Sequence, residues 1–418
     1  MSNRNRSTPM ATVRRVDRLC SEFLDGRLNR RDFLRGAAAL GIGASALGSA
    51  LGALTFPVSA RAGEDMAEEL LKKLKLPYGW THDAPAPASR KKVPAGKYKK
   101  PGPWTIGFSN NYSSNSWRTN MLWCLKYDAV RNKDKIKKFL YTDSNQQISK
   151  QISDIQSLHA QDIDALLLEP SVGKALNPVV TQLQSAGVPV IPFDGVLEGA
   201  PYAVWTGMNL RYTGVSAASF LVNKLGNQGN ILVCRGQAGN FIDTLWWEAA
   251  EKLVKASKMK IVGQVYTNWD FATAKQNVSK FLASHPGQID GVWNENGAAA
   301  MGIIEAFEEA GRPIPPTMGD QNNGFLKKWQ ALAKKNGYVA HGYIYPTWLS
   351  SYALEDAFKI LSGESVYRDD YKPLKVITND TLSQYVRPDL PDSYFSADYL
   401  PKEWTKKMYS EKITFNDL

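Results

Sequence analysis

The chain has 418 residues, of which 43% are hydrophobic and 22% charged, which excludes a disordered protein and is long enough for two lobes. The net charge is +11, but residues 1–62 alone carry ten Arg against four acidic residues, a net of +6. The remaining +5 is too dilute to indicate a nucleic-acid surface.

The N-terminal stretch Asn29-Arg30-Arg31-Asp32-Phe33-Leu34-Arg35 precedes a Gly/Ala/Leu run from Gly36 to Thr55 and then Ser59-Ala60-Arg61-Ala62. A charged region, a mildly apolar region and an A-x-A site make a signal peptide over residues 1–62. The paired arginines resemble a twin-arginine export signal, with Asn29 where Ser or Thr is usual, so a periplasmic location follows. A retained membrane anchor is the alternative, because about 20 apolar residues can span a bilayer. The Gly and Ala content and the cleavage site favour removal. Residues 63–103 read as an amphipathic helix, Glu64 to Lys75, and a Pro- and Lys-rich flexible linker.

From Trp104 the chain alternates short apolar runs with helical stretches. Trp104 to Phe108 is a strand that breaks into Ser109-Asn-Asn-Tyr-Ser-Ser-Asn115-Ser, and Trp117-Arg118 opens a helix. Further strands are predicted over 138–141, 165–168, 188–192, 203–206, 230–234, 261–266, 291–293, 316–318 and 339–343. Helices are predicted over 145–158, 172–186, 213–225, 243–256, 272–284, 298–310 and 324–335. Such alternation gives parallel sheets covered on both faces, with ligands beyond the carboxyl ends of the strands.

The unit repeats. Ile163-Asp-Ala-Leu-Leu-Leu-Glu169-Pro170 is echoed by Ile289-Asp-Gly-Val-Trp-Asn-Glu295-Asn296, and each copy reaches an Asp, Asp194 or Asp320, 31 residues after its first Ile. Both carboxylates therefore end corresponding strands, and facing lobes would turn them into one cleft. A lone Asp or Asn after a strand can equally cap a helix, as Asn296 could for the helix at Gly297. No G-x-S-x-G or H-E-x-x-H occurs, and His82, His159, His285 and His341 are scattered, so neither a hydrolase nor a metal centre is indicated. Gly236-Gln-Ala-Gly239 lacks a following Lys-Ser/Thr and is a weak phosphate cradle. Cys124 and Cys234 fall in different lobes, and a disulfide between them is left open.

An ordered series carries a resemblance: Ser109-Asn110-Asn111, Ile191-Pro-Phe-Asp194-Gly195, Gly236-Gln-Ala-Gly239, Asn268-Trp269-Asp270, Glu295-Asn296-Gly297 and Gly319-Asp320. From about Trp104 to Pro388 the chain resembles the periplasmic sugar-binding proteins of ABC transporters, the ribose-binding-protein-like group. The resemblance implies the type I periplasmic binding protein fold, an α/β architecture of two doubly wound parallel-sheet lobes joined by a hinge. It implies an N-terminal lobe of 104–212 plus 343–372, a C-terminal lobe of 213–342 plus 373–390, and a C-terminal extension of 391–418. It also implies a monomer that closes around a small carbohydrate, without metal or cofactor, and delivers it to an inner-membrane ABC transporter permease. A sensor subunit and a glycoside-active enzyme are the alternatives.

Ligand contacts carried over from the resemblance are Asn111, Trp117, Arg118, Asp194, Trp269, Asn296 and Asp320. Thr244 stands where the family often has an Arg, with Asp243 and Trp246 nearby, and Tyr343 precedes Ile344, which replaces a common Gln. Carboxylates and amides suit hydroxyls, and indoles suit the C–H face of a sugar ring. Arg118 leaves an acidic sugar open as well.

Overall fold

The structure is a computed structural model, and it describes residues 58–75, 91–171, 173–197, 199–395 and 397–418. The export signal lies outside the described residues except for its last five positions. Those open helix α1 (Val58–Leu74). No described helix is long and apolar enough to cross a membrane.

The first sheet is built from β1 (Trp104–Asn110), β2 (Ile136–Asp143), β3 (Ala165–Leu168) and β4 (Val190–Pro192), in the order β2-β1-β3-β4 and all parallel. All seven residues of β1 are buried, as expected of a central strand covered on both faces. Helices α2 (Ser116–Arg131), α3 (Ile148–His159) and α4 (Asn177–Ser185) connect these strands. A bridge from Phe193 to Thr206 adds β5 (Trp205–Met208).

At Asn209 the chain passes into α5 (Leu210–Lys224) and the second sheet. Its strands are β6 (Gln228–Arg235), β7 (Lys258–Tyr266), β8 (Gly291–Trp293), β9 (Met318–Asp320) and β10 (His341–Ile344). The pairing is β7-β6-β8, and the Val292 N–H donating to Pro316 O (2.9 Å) leads on to β9 and β10. Between them run α6 (Phe241–Ala256), α7 (Phe271–Ser284), α8 (Gly297–Glu309) and α9 (Asn323–Asn336). The chain then returns to the first lobe as α10 (Leu349–Ser362), packed on α2, and β11 (Asp369–Lys372), parallel to β5. It crosses once more as β12 (Lys375–Ile377), antiparallel to β10.

The two sheets confirm the expected fold class. Helix α10 and strands β11 and β12 are additions to the predicted elements, and strand and helix bounds differ by a few residues. One pattern recurs at the carboxyl edges of both sheets. The side chains of Asn115, Asn209, Asn240, Asp270, Asn296 and Asn322 each accept a backbone N–H from the first turn of the helix that follows. Each such cap is worth about 0.5–2 kcal/mol.

Residues 91–103 are not the flexible linker that their composition suggests. Val93 and Tyr98 are buried, and the N–H groups of Val93, Gly96 and Lys100 donate to Val366, Gly363 and Leu361 at the end of α10. Helix α1, in contrast, packs on α5 and α6 of the other lobe, with Ala67 and Leu71 buried. At the opposite end of the chain, helix α11 (Lys402–Ser410) lies on α2 of the first lobe. Cys124 and Cys234 are both free and buried, so the open disulfide is not formed.

Candidate functional site

The carboxyl edges of the two sheets face each other across a partly open cavity whose empty space, its mouth included, is about 460 Å³. Tyr112, Asn115, Trp117 and Arg118 line it from the β1–α2 turn, and Asp194 from the end of β4. The second lobe contributes Ile242 and Trp246 from α6, Trp269 after β7, Asn296 after β8 and Asp320 at the end of β9. Tyr345, in the passage between lobes after β10, closes the ring.

Two of these residues sit on unusual backbone. Asp194 has φ 61° and Trp269 has φ 54°, the left-handed region. An Asp tolerates it, but a bulky residue there is uncommon and is held by its surroundings. Trp269 is held by a hydrogen bond from its indole N–H to Glu295 Oε2 at 2.7 Å. Gly236 makes room for that bond: a Cβ there would strike both the Trp269 ring and Glu295 Oε2. Gly214 has a matching role under Trp246, since a Cβ on it would collide with the Trp246 backbone where α5 and α6 meet.

Arg118 is the most heavily tied residue. Its Nη2 donates to Glu169 Oε1 at 2.7 Å, and its guanidinium carbon lies 4.1 Å from the centre of the Tyr112 ring. Burial alone would lower its pKa, but Glu169, Tyr112 and Asp194 outweigh that and hold it above its ordinary value. Burial raises the Glu169 carboxyl to about 7, with Arg118 pulling the other way. Asp194 is also raised by burial, against the opposing effects of Arg118 and of the Tyr345 hydroxyl that donates to it. Asp320 is pushed by burial to about 7 even though the Gly297 and Asn322 N–H groups and the Asn296 amide all donate to it.

The helix-cap alternative for Asn296 is not exclusive. Its Oδ1 accepts from Ala299 N–H at 3.0 Å while its Nδ2 donates to Asp320 Oδ2 at 2.8 Å, so it caps α8 and lines the cavity together. Adjacent Trp246 and Trp247 divide as helix geometry requires. Trp246 reaches the cavity, and Trp247 packs beneath on Trp293 with ring centres 4.9 Å apart.

The structure thus brings together Trp117, Arg118, Asp194, Trp246, Trp269, Asn296 and Asp320. It places four other candidates outside the lining. Asp243 is spent on Arg235, whose Nε (2.9 Å) and Nη2 (2.5 Å) both donate to it. The Thr244 hydroxyl donates back to Asn240 O within the first turn of α6. Tyr343 is buried, with its hydroxyl donating to Glu295 O. The N–H of Asn111 donates to Glu169 Oε2 and its carbonyl accepts from Ser144 and Gln146, which draws it toward the β2–α3 loop.

Tyr112, Asn115, Ile242 and Tyr345 join the lining beyond the predicted set, and Glu169 and Glu295 lie just behind it. The last two carried a signal: they are the matched acidic residues of the repeated Ile-Asp motif. Glu295 is raised well above the usual carboxylate range, by burial first and by Asp243 next. Among the described residues no cluster of His, Cys, Asp or Glu is arranged to hold a metal.

The periplasmic binding protein domain matches residues 106–365. The chain is similar to a xylitol-binding protein of Mycolicibacterium smegmatis, 25% identical over 58% of this chain and 69% of that protein. It is similar also to the ribose import binding protein of Bacillus subtilis, 26% identical over 66% of this chain and 87% of that protein. An ABC transporter solute binding protein of Thermobispora bispora superposes with a TM-score of 0.62 at 29% identity, covering 70% of this chain and 90% of that one. These relatives are binding proteins and not enzymes. With a domain match that extends from β1 to beyond α10, the chain belongs to the periplasmic binding protein family.

Proposed function

We propose that this protein is exported to the periplasm, captures a small sugar or polyol in the interlobe cavity and delivers it to an ABC transporter permease of the inner membrane. One observation carries the ligand class. Asp194 and Asp320, at corresponding strand ends of the two lobes, meet in one cavity with Asn296 and three indoles. Carboxylates and amides accept and donate at the hydroxyls of a carbohydrate, and the indole surfaces cover its C–H groups. No nucleophile–base pair stands among the lining residues, which suits holding a ligand over transforming it. The names of the xylitol- and ribose-binding relatives support the same class.

A thermal-shift screen of pentoses, hexoses, polyols and sugar acids tests the reading. A ligand at 100 times its dissociation constant adds about 2.7 kcal/mol of stability. A folded protein that responds to none of them, before and after unfolding and refolding to strip carried-over ligand, removes the carbohydrate assignment. Export by the twin-arginine route is tested separately. Replacing Arg30 and Arg31 by Lys should retain the protein in the cytoplasm, and unchanged periplasmic recovery would exclude that route.

A further inference from the structure

Two buried hydrogen-bond donors in the cavity are unspent. Arg118 is 6% exposed and Trp246 is 5% exposed, and both line the cavity. Arg118 Nη1 and Trp246 Nε1 are buried and have no hydrogen-bond partner among the described residues. The two other cavity indoles differ: Trp117 donates to Tyr345 O at 3.2 Å and Trp269 to Glu295 at 2.7 Å. Arg118 belongs to α2 of the first lobe and Trp246 to α6 of the second. Trp246 is fixed on edge, with the rings of Tyr343 and Tyr345 at 82° and 80° to its plane.

A buried donor left unmade is costly, so the cavity favours a molecule that supplies an acceptor to each lobe. The charge around Arg118 narrows the chemistry. Glu169 already pairs with it, and Asp194 lies close enough to affect its ionisation. Asp320 faces the same space from the other lobe. A ligand carboxylate would enter among carboxyl groups that already outnumber the one guanidinium of the lining, and it has no proton to give them. A hydroxyl accepts from one neighbour and donates to another.

We propose that Arg118 and Trp246 determine specificity as a two-lobe pair of donors that selects a neutral polyhydroxylated ligand and rejects its sugar acid. Trp246 contributes its indole N–H as well as its ring surface, and Glu169 is a positioning residue that pairs with Arg118 while leaving Nη1 open. This rests on the carbohydrate reading above and excludes the acidic sugar that Arg118 alone would allow.

Matched probes test it on the full chain by titration calorimetry: D-ribose with D-ribonate, D-xylose with D-xylonate, D-galactose with D-galacturonate, and xylitol. The neutral member of a binding pair should exceed its acid at least tenfold. Trp246→Phe, which keeps a ring and removes the N–H, should weaken the neutral probe about tenfold, or ~1.4 kcal/mol. Glu169→Gln should move the neutral-to-acid ratio at least tenfold toward the acid. On the wild-type chain, the indole proton resonance of Trp246 should move downfield when the neutral probe is added. Acid members that bind as well as neutral ones, or a Trp246→Phe variant and a Trp246 resonance that are both indifferent to the probe, overturn the proposal while leaving the carbohydrate reading intact. Absence of binding by every probe and by the wider screen removes that reading, and this inference with it.

Discussion

The Tyr345 hydroxyl donates to Asp194 Oδ1 at 2.5 Å, joining the passage between lobes to the strand end of the first sheet. Tyr345 is held in turn by Gln321, whose Oε1 accepts from the Tyr345 N–H at 2.7 Å and whose Nε2 donates to its carbonyl at 2.6 Å. A cavity carboxylate, a hinge residue and the second lobe thus form one hydrogen-bonded chain. Tyr345→Phe should leave the ring packing against Trp117 and Trp246 in place and release Asp194. Hydrogen bonds to charged groups contribute about 1.5–3 kcal/mol, so calorimetry with the strongest hit of the screen should show at least a tenfold loss of affinity. Wild-type affinity would deny Asp194 and Tyr345 a shared role.

The raised carboxyls make stability depend on pH. Glu169 and Asp320 titrate at about 7 in the folded chain. Unfolded, both return to the ordinary range near pH 4. Between those limits the folded protein holds protons that the unfolded chain has released, so stability without ligand is greatest below the window and falls as pH rises through it. Melting curves from pH 5 to 8 should show this fall, and Glu169→Gln and Asp320→Asn should each flatten it. Ligand binding should run in the opposite sense, because a hydroxyl donates best to an ionised carboxylate. Affinity that declines from pH 5 to 8 would contradict this.

The double role of Asn296 separates from capping alone by comparison with Asn322. Asn322→Ala removes only a cap from α9 and should cost about 1 kcal/mol of stability without changing affinity. Asn296→Ala should cost a similar amount for its cap and also weaken ligand binding, through the lost bond to Asp320. Denaturant melts and calorimetry on the two variants measure the two effects independently.

Past residue 391 the chain anchors to the first lobe through aromatic contacts. Phe415 is 3% exposed, with its ring 5.0 Å from Phe139 and 5.1 Å from Tyr141. Phe415→Ala should destabilise the protein by about 3 kcal/mol, the lower range for emptying a buried phenyl site, and leave affinity unchanged. A melting temperature equal to wild type would mean the contact carries no stability.

The strand ends were legible because polar and acidic residue types interrupt the apolar runs there, and because the matched 31-residue spacing tied Asp194 to Asp320. What each polar group is already bonded to was not legible. Asp243 reads as a cavity carboxylate until its Arg235 partner, eight residues upstream across a turn, is seen. Tyr343 and Tyr345 differ by two positions in one segment, yet one turns its hydroxyl to Glu295 and the other to Asp194. Helix α10 escaped prediction because Trp348 precedes it without a side-chain cap, and β11 because Asp369-Asp-Tyr-Lys372 lacks strand character.

The C-terminal segment leaves the second lobe where Asn323 donates to the carbonyls of Arg387, Leu390 and Pro391. It meets the first lobe where Phe395 N–H donates to Asn120, and it ends by covering Trp123 and Phe139. Those first-lobe aromatics are made well before the segment that covers them. During translation the α2 and β2 surface of the first lobe therefore stays bare until α11 and Phe415 have been made. A chain truncated before α11 would present that bare aromatic face to its neighbours.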